Sequence, residues 1–303
     1  IFLDRGTVSN CLIEGNIYDH FPRTMSGHGG GAGIIVFGNG GMAYVFDTII
    51  RSNRIINASP SWGGGGGVRM GWGVMEDCEI SSNSAPYKSG GMHLCADEGA
   101  GGKVAYVRRC RFLGNTGTAS QGNHLYLVAG QDVRFENCLF ADGQAAPPAI
   151  VIAYQAVTAF RNCTIATGAN EPSAVSLDYL SSIGNSRFVN CILYPNGPIY
   201  NKSATNAWPV FDFCCATNLA LIAPDADNIT ADPRFADPAE LDFQLRIGSP
   251  CADAGSSALV DSYYTTDLLG NPHFDYDRDG LAEPDMGCFE LQERSNGSLI
   301  MVR

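Results

Sequence analysis

The sequence predicts an all-β chain, a right-handed parallel β-helix (solenoid) with a C-terminal capping segment, and three observations predict it. One cysteine-bearing phrase recurs along the chain, a Gly-Gly phrase alternates with it, and short turns ending in Asn close most copies. No segment holds the i, i+3, i+4, i+7 spacing of an amphipathic helix over several turns. The fold is a stack of coils.

The cysteine phrase reads Val8-Ser-Asn-Cys11-Leu-Ile, Val74-Met-Glu-Asp-Cys78-Glu-Ile and Val107-Arg-Arg-Cys110-Arg-Phe in its first copies. It continues as Phe135-Glu-Asn-Cys138-Leu-Phe, Phe160-Arg-Asn-Cys163-Thr-Ile and Phe188-Val-Asn-Cys191-Ile-Leu, with a degenerate copy at Phe211-Asp-Phe-Cys214-Cys215. Thr48 fills the slot in Phe46-Asp-Thr48-Ile-Ile. From Cys78 onward the intervals are 32, 28, 25, 28 and 23 residues, a solenoid period. The alternating phrase is Gly30-Gly-Ala-Gly-Ile34, Gly66-Gly-Val-Arg-Met70, Gly90-Gly-Met-His-Leu94 and Gly122-Asn-His-Leu125. Turns at Asn16, Asn53, Asn83 and Asn115 follow the cysteine phrases. Each coil therefore reads strand, loop, strand, Asn turn, with β-branched and aromatic residues alternating.

Equivalent residues of stacked coils lie about 4.8 Å apart, so each inward position becomes a ladder of like side chains. Cysteine is small and readily buried, which suits an interior corner. The ladder cysteines are read as packed thiols; disulfides between rungs need side-chain vectors that in-register strands rarely supply. The Asn before Cys138, Cys163 and Cys191 is placed to form an amide ladder across its turn.

Composition narrows the function. The 303 residues carry a net charge of −12, with lysine only at Lys88, Lys103 and Lys202, so nucleic acid and anionic membranes are not expected partners. The longest apolar run, Ala149–Phe160, is too short to span a bilayer, and no membrane insertion by this segment is expected. The chain starts at Ile1 in mid-pattern and reads as a processed or truncated piece of something longer.

The alternation of Phe-x-x-Asn turns with Gly-Gly-Ala-Ile strands resembles the repeats of polymorphic outer-membrane proteins and, more broadly, the pectate-lyase-like right-handed β-helix superfamily, over Ile1 to Cys215. After Cys215 the pattern changes to Ala231-Asp-Pro-Arg-Phe-Ala-Asp-Pro238, Asp242-Phe-Gln-Leu-Arg-Ile-Gly-Ser-Pro250, Ala252-Asp-Ala-Gly255, Asp267-Leu-Leu-Gly-Asn-Pro272 and Asp285-Met-Gly-Cys-Phe-Glu290. That succession is similar to the tail of bacterial secreted β-helices, and the resemblance implies a segment capping the last coil. The expected organisation is coils over 1–230, a cap over 231–290 and a linker or extension over 291–303. An extracellular or cell-surface location, in a bacterium, follows from the same resemblance.

Two features of the tail carry chemistry. Asp275, Asp277 and Asp279 alternate into Gly280, followed by Glu283 and Asp285, a spacing that lets carboxylates converge on a structural Ca²⁺. The plainer reading is an Asp-rich turn capping local amides. Cys251 and Cys288 stand in two tail motifs expected to lie close in space, which makes them a disulfide candidate.

β-Helix enzymes work on polysaccharides along one sheet face. Aligning the Gly-Gly strands puts Gly33, Arg69, His93, His124 and Ile150 in one outward column, and Ile35, Gly71, Cys95, Tyr126 and Ile152 in the next, with Asp97 nearby. Arg69, His93 and His124 are the catalytic candidates of a lyase or glycosidase reading, and they join Trp62 and Tyr126 as ligand-binding candidates. Polar residues on a sheet face are more often plain surface. The Gly27-His28-Gly29 triplet lacks the paired aspartates a polygalacturonase-type glycosidase needs. Trp72 is expected in core or loop packing. The run Gly63–Gly67 is no phosphate loop, since neither Lys-Ser/Thr nor a helix follows. The preferred reading is a non-catalytic module for adhesion, carbohydrate contact or assembly, with polysaccharide or surface glycan as partner and end-to-end self-association; the runner-up is the polysaccharide lyase or hydrolase.

Overall fold

The structure is a computed structural model that describes residues 1–19, 30–38, 40–56, 64–95, 103–117, 121–128, 132–145, 147–153, 157–168, 171–178, 186–194, 200–201, 209–216, 227–260 and 265–292. Three parallel sheets run its length, each built from one short strand per coil. Sheet A takes the strands of the Gly-Gly phrases and their equivalents in the other coils: Phe2–Leu3, Ile34–Val36, Val68–Met70, Met92–Leu94, Leu125–Leu127, Ile150–Ala153, Val175–Asp178 and Tyr200–Asn201. Sheet B takes the segment before each cysteine, from Gly6–Ser9 through Val104–Arg108 to Val210–Asp212, and sheet C the segment after it, from Leu12–Glu14 to Ile192–Tyr194. Strands of successive coils pair in register, so the expected parallel β-helix is what the chain forms. Among the described residues no helix is long and apolar enough to cross a membrane.

The corner between sheets B and C explains the repeated phrase. The residue before each ladder cysteine, or before Thr48, is left-handed: Asn10, Asp47, Asp77, Arg109, Asn137, Asn162, Asn190 and Phe213 have φ between 43° and 55°. Asn and Asp tolerate that conformation best, hence their recurrence. The chain then turns inward and buries the thiol. Cys78, Cys110, Cys138, Cys163, Cys191 and Cys214 each donate to the carbonyl two residues back, as Cys110 Sγ does to Arg108 O at 3.1 Å. All eleven cysteines are thiols.

Phenylalanines stack beside the thiols. Ring centroids of Phe135, Phe160, Phe188 and Phe211 follow one another at 4.8, 4.7 and 4.9 Å, each pair within 15° of parallel. All four are buried. Truncating Phe160→Ala removes the middle of this column and is expected to lower stability by about 4 kcal/mol, read as a drop in the urea midpoint.

A continuous amide ladder exists, but in the other turn. Asn16 Nδ2 donates to Asn53 Oδ1 (2.8 Å), Asn53 Nδ2 to Asn83 Oδ1 (3.0 Å) and Asn83 Nδ2 to Asn115 Oδ1 (3.2 Å). Of the residues before the cysteines, Asn190 does donate to Asn162 Oδ1 (2.9 Å), whereas Asn137 turns to the Thr266 carbonyl of the tail.

The tail lies differently from the expected end cap. Its described apolar residues, among them Phe235, Phe243, Leu245, Leu268, Met286 and Phe289, pack on Leu139, Ala141, Ala166 and Ile192, the outward side chains of sheet C. In the first coils the same face carries Glu14, Arg51, Glu79 and Arg111, with Glu14 and Arg51 ion-paired at 2.9 Å. From Cys138 onward the sheet C strands read Leu-Phe-Ala, Thr-Ile-Ala and Ile-Leu-Tyr, without polar alternation. An apolar outward face needs a cover, and the tail supplies it from the side.

Candidate functional site

Register decides which side chains share the outward face of sheet A. Phe2 pairs with Ile35, Ile35 with Arg69, Arg69 with His93, His93 with Tyr126, Tyr126 with Val151 and Val151 with Ser176. Arg69 and His93 are therefore neighbours as expected, but Tyr126 stands on the next rung in place of His124. Their rings meet, His93 and Tyr126 centroids lying 5.5 Å apart. The face is not an open groove at these coils: Arg69, His93 and Tyr126 are 3%, 6% and 4% exposed, and Val151 and Ala153 extend the cover.

His124 is a correction with a clear cause. Gly122 stands two residues further from its strand than Gly67 and Gly91 do from theirs, so His124 aligns with Gly91, whose successor Met92 donates to the His124 carbonyl at 2.8 Å. Gly33, Gly67 and Gly91 hold this slot because the ladder amides press on it: an added Cβ would lie 3.0, 2.7 and 3.2 Å from Nδ2 of Asn53, Asn83 and Asn115. At the next coil the ladder position becomes Gly143, and the small slot becomes His124. The imidazole is fully buried, its Nδ1 3.3 Å from Asn115 Nδ2 and its Nε2 4.0 Å from Glu171 Oε1. Glu171 also accepts from Asn123 Nδ2 (2.8 Å) and from the Gly168 amide (2.7 Å). Burial pushes His124 down to about 3 and Glu171 up to about 7. The group ends the ladder; it does not face a substrate.

Arg69 and Lys88 converge on a residue that the sequence placed only in the neighbouring column. Arg69 Nη2 donates to Cys95 Sγ at 3.2 Å, and Lys88 Nζ lies 4.8 Å from the Tyr126 ring centroid. Trp72 is half-buried in the turn beside Gly38, under Lys103 Nζ at 4.0 Å from its ring, so it packs a loop. Trp62, His28 and Asp97 lie outside the described residues.

Sheet B presents the more open polar face. Tyr44, Phe46, Tyr106, Arg108 and Arg134 are half-buried on it, with Arg108 Cζ 4.2 Å and Arg134 Cζ 5.6 Å from the Tyr106 ring centroid. Beside them run ion pairs between rungs: Arg109 with Asp77 (2.7 Å), Arg108 with Glu136 (3.1 Å) and Arg161 with Glu136 (3.2 Å). Flat aromatic rings flanked by guanidinium forks can stack on sugar rings and hydrogen-bond their hydroxyls.

The acidic tail residues separate. Asp275 and Asp277 meet Asp253, and one carboxylate oxygen of each lies within 4.8 Å of the others. Asp253 Oδ1 and Asp275 Oδ1 are buried and without a hydrogen-bond partner. Asp279, Glu283 and Asp285 stand apart, engaged by the amides of Leu281, Ser257 and Leu291 respectively. Burial raises Asp285 to about 7 and Glu290, which accepts from the Asp285 amide, to about 9. Cys251 and Cys288 are not joined. The Met286 amide donates to the Cys251 carbonyl (2.9 Å), which puts Cys288 two residues further along, where its amide donates to Thr164 Oγ1 (3.1 Å).

No curated protein matches the chain. The family model described as a right handed beta helix region matches residues 3–206, which include almost every coil of the three sheets. Together with the in-register parallel stack, that match makes the chain a member of the right-handed β-helix family.

Proposed function

We propose that this chain is a non-catalytic, extracellular or cell-surface β-helix module that works by contact, as an adhesin, a carbohydrate-binding surface or an assembling scaffold. The observation that carries the reading is the sheet B face, where Tyr44, Phe46 and Tyr106 stand half-exposed among Arg108 and Arg134 on a rigid ladder. The column that an enzyme reading requires is buried at Arg69, His93 and Tyr126 and has lost His124 to the interior. End-to-end association of coils is the form that assembly would take in a parallel stack.

The test is a panel of neutral and acidic polysaccharides incubated with the chain, with binding read by calorimetry and product by mass spectrometry. Saturable binding without product, lost in Tyr106→Ala, supports the contact reading, as does self-association in sedimentation without any product. Oligosaccharide release abolished by His93→Ala overturns it in favour of a lyase or hydrolase.

We also propose that the tail holds a structural Ca²⁺, at Asp253, Asp275 and Asp277 rather than through the whole acidic run. Two buried carboxylate oxygens without donors support it. Chelation is expected to lower the melting temperature by several degrees and Asp253→Asn to abolish that response; an unchanged melt removes the ion.

A further inference from the structure

Of the eleven cysteines, nine are buried in the ladder or under the tail, and only Cys11 and Cys95 reach the surface. Their surroundings differ in kind. Cys11 sits exposed on the first rung and donates its S–H to the Ser9 carbonyl at 3.2 Å. Cys95 leaves the strand Met92–Leu94 at the edge of the buried column, its amide bonded to the Met70 carbonyl (3.3 Å). There the Arg69 guanidinium, held almost entirely out of solvent, donates to its sulfur. Lys88 is close enough for its charge to be coupled to Cys95, while burial draws the ammonium below the usual lysine range. On the same face the His93 and Tyr126 rings meet, and Lys88 Nζ lies 4.8 Å from the Tyr126 ring centroid.

A guanidinium cannot shed its charge, and one fixed beside a thiol favours the thiolate, the nucleophilic form of sulfur. Two cations beside a thiol also favour an anionic reaction partner. We propose that Cys95 is a thiolation site that takes small carboxylate-bearing disulfides, with Arg69 and Lys88 as its positioning cations. The Cys95 thiolate attacks one sulfur of R–S–S–R, a protein–S–S–R bond forms as the S–S bond of the reagent breaks, and the other half leaves as R–S⁻. Cys95 is oxidised and the departing sulfur is reduced, so no further oxidant enters. The site is separate from the sheet B face and does not depend on the glycan reading.

The experiment uses the intact chain and maps modified peptides by mass spectrometry, with Cys11 as internal reference. Iodoacetamide, which is neutral, is expected to alkylate Cys95 with a pH midpoint about one unit or more below that of Cys11. Oxidised glutathione at pH 7 is expected to modify Cys95 about tenfold faster than Cys11, and the neutral disulfide of mercaptoethanol to show a smaller preference. Arg69→Gln and Lys88→Gln should each move the Cys95 midpoint toward that of Cys11 while leaving the β-sheet circular dichroism unchanged. Lys88→Gln decides the matter alone where Arg69→Gln does not fold. Equal midpoints at the two cysteines, no reaction of Cys95 in the folded chain, or midpoints unmoved by either substitution overturn the proposal.

Discussion

Alanine at position 143 is expected to lower the stability of the β-helix by about 3 kcal/mol, near the upper end for overpacking a rigid interior. The added Cβ would fall within the van der Waals radius of Glu171 Oε1 and 2.6 Å from Asn123 Nδ2. Neither atom can withdraw easily, because Glu171 is held by Asn123 and by the Gly168 amide. Urea unfolding of Gly143→Ala measures the loss. Glu171→Gln tests the same group through pH. Burial places the folded value of Glu171 near 7, above its unfolded value, so its contribution is complete below about pH 4.5 and is lost as pH rises through 7. His124, near 3 in the fold, has the opposite sign: its contribution is complete above about pH 6.5 and is lost as pH falls toward 3. Asp285 and Glu290 share the sign of Glu171, so the comparison must be wild type against variant across the pH range. The difference expected between pH 4.5 and pH 8 is about 3 kcal/mol, from two to three units at about 1.4 kcal/mol each. A constant difference across that range would mean that Glu171 is charged throughout in the folded chain.

The same group marks the limit of what the sequence showed. The repeat, the short strands and the packed thiols are all legible, because period and residue type report directly on stacking. Register is not legible where a phrase slips by two residues against its strand. Gly122-Asn-His-Leu looks like Gly90-Gly-Met-His-Leu, but its histidine sits in the slot of Gly91, one position before the strand. A signal was present: Asn115 is followed one coil later by Gly143, so the partner of the glycine slot had changed too. The tail could likewise have been placed on the side of sheet C from Leu139-Phe-Ala, where alternation stops. By sequence Cys95 stands one column away from Arg69, and only the structure brings its sulfur to the guanidinium. Asp253 could not have been found this way, because it joins Asp275 and Asp277 through contacts that no local spacing encodes.

Removing one amide from the middle of the asparagine ladder is expected to be among the most damaging single changes in this molecule. Asn83 is fully buried; its Nδ2 donates to the Ile50 carbonyl (2.8 Å) and to Asn115 Oδ1 (3.2 Å), and its Oδ1 accepts from the Asn53 amide (2.9 Å) and Asn53 Nδ2 (3.0 Å). Asn83→Ala strands the donors of Asn53 and the Ile50 carbonyl in the buried interior, at about 1–3 kcal/mol for each group left unsatisfied. The expected loss is about 4 kcal/mol, measured by urea unfolding. Asn16 provides the contrast. It is exposed on the first rung and bonded to the ladder on one side only, through Asn53 Oδ1. Asn16→Ala should therefore cost about 1 kcal/mol or less, because water replaces what is lost. In a solenoid each coil leans only on its neighbours, so an interior break weakens two interfaces and an end break one. Equal losses at the two positions would show that the amides are interchangeable with solvent, and that the thiols and phenylalanines alone hold the coils in register.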